Sequence, residues 1–240
     1  MNGVKVGADC TLKPHDEVAY YMTSAQEEKR AFSVIYEDEN VIVIDKESGV
    51  NSEAVFAELC TLYESPQGTQ AIYFIHRLDR NTQGIMIFGR TMSASEELKA
   101  CFREQRAEKI YHALVFGKMP KPHETCTAYL FKDEKSSFVK IFPQNKRASV
   151  KIVTEYEVLE TREETSLLKI TLHTGKTHQI RAHMAFLGHP VVGDEKYGDH
   201  VRNKRLHFTR QRLIAKSLTL QRCGALAYLN GRTFTSEKDL

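Results

Sequence analysis

The stretch that most limits how this chain can fold is Tyr73-Phe74-Ile75-His76-Arg77-Leu78-Asp79-Arg80-Asn81-Thr82-Gln83-Gly84-Ile85-Met86-Ile87-Phe88. An apolar run enters it and another leaves it, and both read as buried strand. Between them stand charged residues, a threonine and a glycine. Burying charge is costly unless it is paired or lines a site. The segment therefore reads as a functional turn inside a core, centred on Asp79. Taken alone, an aspartate here also fits a plain turn or helix cap.

Composition permits that core. At 240 residues and 41% hydrophobic, the chain can build one large domain, with 27% charged residues arguing against general disorder. A net charge of +3, from 34 Lys+Arg against 31 Asp+Glu, allows a nucleic-acid partner without requiring one. Five scattered cysteines with no CxxC pair predict neither a disulfide framework nor a structural zinc site. A reducing, cytoplasmic compartment is expected, with no membrane span and no signal core.

Along the chain, residues 1–30 are polar and weakly patterned, and read as a lead-in arm. Phe32–Glu37 and Val41–Ile44, split by Asp38-Glu39-Asn40, predict a β-hairpin, followed by a turn at Asp45–Gly49. Residues 52–63 predict a helix capped by Ser52, followed by a loop at Ser65–Gly68. Ser93–Glu96 has capping-box spacing before a helical stripe of Ala94, Leu98, Cys101 and Phe102. Lys109–Phe116 is a strand, residues 125–160 alternate in the β manner, and Ser166–Leu172 is another strand. Thr177 to about Leu187 reads as a helix stopped at Gly188. Residues 193–212 read as basic loop, Ile214–Leu220 as a last strand, and 226–240 as a polar tail. Strands and helices in irregular order predict an α+β fold.

The segments His76–Gly84, Lys109–Ala113 and Thr174–His183 combine polar density with regular structure. His178 and His183 lie about 140° apart on a helix, which argues against a shared metal. Thr174–Thr177 echoes a P-loop ending, but the first glycine of that motif would fall at Ile170.

Together these segments carry a resemblance. Ile75–Gly84 resembles the HRLDxxTSG motif of the RluA-type pseudouridine synthase family. Lys109-Ile110-Tyr111-His112-Ala113 is similar to its KxYxA strand. Thr174–His183 with Gly188–Gly198 is similar to its TGRxHQIRxH…GHPIxGDxxYG block, and Tyr36–Gly49 to its opening hairpin. The likeness runs in the family's order over roughly residues 32–220. Gln83 stands where serine is usual, Lys176 where arginine is, and Glu47 where proline is.

The resemblance implies a catalytic domain over residues 31–225 with a central, mostly antiparallel mixed sheet flanked by helices. The N-terminal RNA-binding domain common in that family is not expected within residues 1–30, which are too few and too weakly patterned to hold it. The implied activity is uridine isomerisation in ribosomal or transfer RNA, by a monomer, without cofactor or metal. Asp79 becomes the catalytic carboxylate, as nucleophile or as base, and must be ionised. Arg181 becomes its bidentate partner, since a nearby guanidinium favours the ionised form. Tyr111 becomes the ring that stacks on the flipped base. His76, Arg77, Arg80, Thr82, Lys176, His178 and Gln179 become RNA-binding candidates, with the basic run Arg202–Arg212 as further footprint. Two rival readings remain: an inactive RNA-binding relative, and a nucleoside hydrolase built on Asp79.

Overall fold

The computed structural model describes residues 31–63, 72–133 and 138–240, so the arm at 1–30 and the loop at 65–68 lie outside it. The first hairpin forms as read, from β1 (Phe32–Glu37) and β2 (Val41–Lys46), with a bulge between Val34 and Tyr36. Helix α1 (Ser52–Leu62) leads to β3 (Gln83–Gly89) and α2 (Met92–Arg103). Then come β4 (Ala107–Phe116), β5 (His123–Lys132), β6 (Val139–Phe142), β7 (Val150–Thr161) and β8 (Thr165–Leu172). Helices α3 (Gln179–Phe186) and α4 (His200–Arg205) precede β9 (Leu213–Leu220) and β10 (Thr233–Thr235).

The ten strands of the described residues join one sheet in the order β1-β2-β3-β9-β4-β8-β7-β5-β6, with β10 on β9. Every pairing is antiparallel except β3 with β9. The fold is α+β, as expected. Two apolar clusters flank the centre. One packs α2 through Ala94, Leu98 and Cys101 against Val41, Val43, Ile85 and Ile87. The other packs α3 through Ile180 and Met184 against Leu168, Ile170 and Tyr156.

The parallel junction brings the Asp79 turn to the middle of the sheet. Gly84 pairs with Ala215, and a Cβ on Gly84 would stand 2.3 Å from the Ala215 carbonyl oxygen. Its φ of +113° is equally a glycine requirement. Ala215 pairs on its other side with Tyr111, beside a bulge that skips Lys216. Bulges re-aim side chains, and this one lies next to the ring singled out in the sequence.

Four expectations are corrected. Ser52 does not cap α1, whose cap position is Asn51. Instead its hydroxyl donates to the Leu78 carbonyl at 2.8 Å and accepts from the Leu78 amide at 3.0 Å. Thr91, not Ser93, caps α2, accepting from the Ala94 amide. The basic stretch after Gly193 contains α4, capped by Asp199. Residues 226–240 are no tail: Leu226, Leu229 and Phe234 are buried with Val41 and Ile87, and β10 extends the sheet. These apolar positions are too sparse to show a period: Phe234 is placed by pairing with β9, and Leu226 and Leu229 pack in the same cluster as Leu218 and Leu220.

Because Ser52 fastens the residue before Asp79, Ser52→Ala is expected to lower stability by about 1–3 kcal/mol through the orphaned Leu78 groups. Urea unfolding measures it, and an unchanged midpoint would refute the tether.

Candidate active site

The Asp79 turn is fixed from below by residues 46–52. Lys46, with 0% exposure, donates to the carbonyls of Glu47 (2.9 Å), Val50 (2.8 Å) and Arg80 (3.2 Å). Burial pushes its ammonium down to about 8, with Asp79 working against that shift. The Gly49 amide donates to the Arg80 carbonyl, and Ser48 Oγ to the Asn81 carbonyl. The Thr82 amide closes the turn on the Asp79 carbonyl.

Asp79 then meets helix α3. Arg181 Nη1 donates to Asp79 Oδ2 at 2.8 Å across 102 positions of sequence. The expected bidentate pairing is made elsewhere: Arg181 Nε and Nη2 grip Asp194 at 2.7 and 2.9 Å. Asp194 is wholly buried and also accepts from the amides of Lys196 and Tyr197. Burial favours its neutral form, and the Arg181 and backbone hydrogen bonds overcome this and hold its carboxyl below the ordinary range. Burial likewise opposes the Arg181 charge, and the two carboxylates overcome it, raising the guanidinium further. One arginine thus uses two N–H groups of its fork for anchoring and one of the other three for Asp79.

Asp79 and Arg181 open onto a cleft of about 530 Å³, lined also by His76, Lys109, Tyr111, Lys176 and His178. Burial, then the Asp79 charge, pushes the Tyr111 hydroxyl well above its ordinary range, so it stays protonated. His178 begins α3 in a left-handed conformation (φ 53°), and its Nε2 stands 3.9 Å from Asp79 Oδ1, beyond hydrogen-bond distance. Its Nδ1 meets the Tyr197 hydroxyl at 3.0 Å, while the Tyr197 ring lies 5.4 Å from the Arg181 guanidinium. Burial, opposed by Asp79, keeps His178 below its ordinary value.

The remaining candidates divide by what they touch. Lys176 is exposed at the mouth. Arg77 is exposed and pairs with Glu53 at 3.1 Å, and exposed Arg80 donates to the Gly49 carbonyl. His76 faces inward as an acceptor for the Ile87 amide (3.2 Å), stacks on Phe102, and is held neutral by burial, at about 3. Thr82 and Gln179 also line the cleft, with polar groups engaged inside the protein. Gln179 donates to the Val153 carbonyl and Thr154 Oγ1, and accepts from Thr174 Oγ1 and the Lys176 amide. Buried Thr82 accepts from Gln211 Nε2. Sequence reasoning gave Asp194, Lys46 and Tyr197 no part in the site and Ser52 only a helix cap, although Asp194 and Tyr197 sit in the Gly188–Gly198 block.

Behind the cleft, buried His183 faces Thr154 Oγ1 at 3.0 Å, and burial lowers its pKa to about 4. Unfolded, it titrates near 6.5. Between these values the unfolded chain binds the extra proton, so stability falls as pH drops from 6.5 towards 4. This effect is worth about 2 kcal/mol at pH 5. The stability gap between wild type and His183→Gln in urea is expected to narrow from pH 7 to pH 5. Parallel pH curves would refute a neutral His183.

Comparison with known proteins places the chain in a family. Residues 40–186 match the RNA pseudouridylate synthase family model. The chain belongs to that family. It is 34% identical over 170 residues to ribosomal large subunit pseudouridine synthase C of Vibrio parahaemolyticus, covering 69% of this chain and 53% of that protein. It is 36% identical over 182 residues to an RNA pseudouridine synthase of Aquifex aeolicus, covering 69% and 56%. The chain thus spans about half the length of these relatives. The solved structure of human RNA Pseudouridylate Synthase Domain Containing 1 shares the fold, with a TM-score of 0.71 and 23% identity over 86% of this chain and 83% of that one.

Proposed function

We propose that this chain isomerises uridine to pseudouridine in ribosomal or transfer RNA, acting as a cytoplasmic monomer. The reading rests on one observation above the rest: an Asp79–Arg181–Asp194 ion network at the wall of a cleft that also presents Tyr111. Family membership supports the chemistry, and the names of its relatives point towards ribosomal RNA.

In the reaction N1–C1′ breaks, the uracil turns, C5 bonds to C1′, and the C5 proton is replaced by one on N1. The isomerisation is redox-neutral. Arg181 holds Asp79 Oδ2, and among the described residues Oδ1 makes no hydrogen bond. Oδ1 is then the atom that attacks the nucleotide or removes a sugar proton. The target base must leave its stack, at a few kcal/mol. A ring such as Tyr111 returns about 1–3 kcal/mol by stacking. Its hydroxyl, kept protonated by burial, can donate a hydrogen bond to the turning base.

Pseudouridine mapping of RNA from cells with and without the protein tests this. One or more sites should vanish on deletion and return with the wild-type chain. An unchanged map would refute the reading.

A further inference from the structure

Among the described residues, Lys109 is the half-buried cation of the cleft that has no ion pair, whereas Lys176, also without one, is exposed to water. Lys109 lies on β4 two residues before Tyr111, so the two side chains leave the same face of the sheet, and both line the cleft. Burial depresses its ammonium, with no carboxylate pulling the other way. Its ammonium lies 5.9 Å from the Phe102 ring centroid, and among the described residues it makes no hydrogen bond or ion pair. It reaches towards the Gly175 backbone, where an added Cβ would stand 3.5 Å from Nζ.

The two buried cations beside the cleft are satisfied internally, Lys46 by three carbonyls and Arg181 by two carboxylates. At the rim, Arg77 and Arg103 have Glu53 and Glu104. His76 alongside is neutral and brings no negative charge. A half-buried ammonium with neither a carboxylate nor a hydrogen bond, and only a distant ring face, costs free energy that the fold alone does not recover. A uracil carbonyl would bring a dipole, whereas an anion offsets the buried charge in full.

We infer that Lys109 is the phosphate-binding residue of the cleft, its ammonium taking a non-bridging oxygen of the phosphodiester beside the flipped nucleotide. The inference rests on the reading of the cleft as an RNA site. Lys176 at the mouth extends the same positive wall.

Filter binding of ribosomal RNA from cells lacking the protein, across a KCl series, tests it with Lys109→Met and Lys109→Arg. One phosphate contact fewer should reduce the log–log salt slope by about 0.7, and affinity at 0.1 M salt by about fivefold. Lys109→Arg should keep the slope. Lys109→Met should also resist urea better than wild type, because it removes an unpaired charge. An unchanged slope in Lys109→Met, with wild type binding normally, overturns the assignment and leaves the RNA site standing. Loss of stability in Lys109→Met overturns it too, since the lysine would then be structural. Wild type that binds ribosomal RNA with no salt dependence overturns both the assignment and the RNA reading.

Discussion

Asp79→Asn is expected to abolish pseudouridine formation, by about 10⁴-fold or more, while leaving RNA binding and folding largely in place. The amide keeps the shape of the side chain, and its oxygen can still accept from Arg181 Nη1. Arg181 also keeps both hydrogen bonds to Asp194, so no buried cation is left bare. What disappears is the negative charge, and with it the nucleophile or base. Losses of that size accompany removal of a group that takes part in bond making or proton transfer. The measurement pairs single-turnover conversion of uridine with filter binding of the same RNA. Near-normal conversion would overturn the role of Asp79. Loss of binding in a folded variant would instead show that its charge organises the cleft.

The sequence made the strands easy to read and the site only half so. Val41–Ile44, Lys109–Phe116 and Ser166–Leu172 are dense in β-branched and large apolar residues, and they form β2, β4 and β8. Helix caps were misread at Ser52 and Ser93, because hydroxyl spacing does not say whether a side chain turns to its own helix or to a neighbour. The 226–240 segment was misread because three buried apolar residues matter only once β9 is beside them. Within the site, Asp79 and Tyr111 followed from resemblance, and the Arg181 contact with Asp79 is present. The fork was assigned to the wrong acid, since nothing in the order of residues ranks Asp79 against Asp194. Gln83, unusual at its position, donates from Nε2 to the Asp239 carbonyl at 2.9 Å. That contact joins residues 156 positions apart, and no local pattern announces it.

Asp194→Ala carries the second large expected effect, about 3–5 kcal/mol of stability together with most of the activity. Asp194 accepts from Arg181 Nε and Nη2 and from the amides of Lys196 and Tyr197, all away from water. Removing it strands a buried guanidinium, and breaking one side of a buried pair costs that much. Activity should fall further than unfolding explains, because Arg181 would be free to swing onto Asp79 or out of the cleft. Asp194→Asn keeps an acceptor and should lose less stability, about 1.5–3 kcal/mol. Arg181→Lys isolates the geometry: its ammonium keeps the charge but cannot grip Asp194 with a fork and reach Asp79 with a third N–H. Its turnover should drop sharply while RNA binding holds. Urea unfolding and single-turnover conversion, measured where each variant is folded, give both readouts. Asp194→Ala with wild-type stability would show that Arg181 is held by something else. Near-normal turnover in Arg181→Lys would show that a point charge beside Asp79 is sufficient.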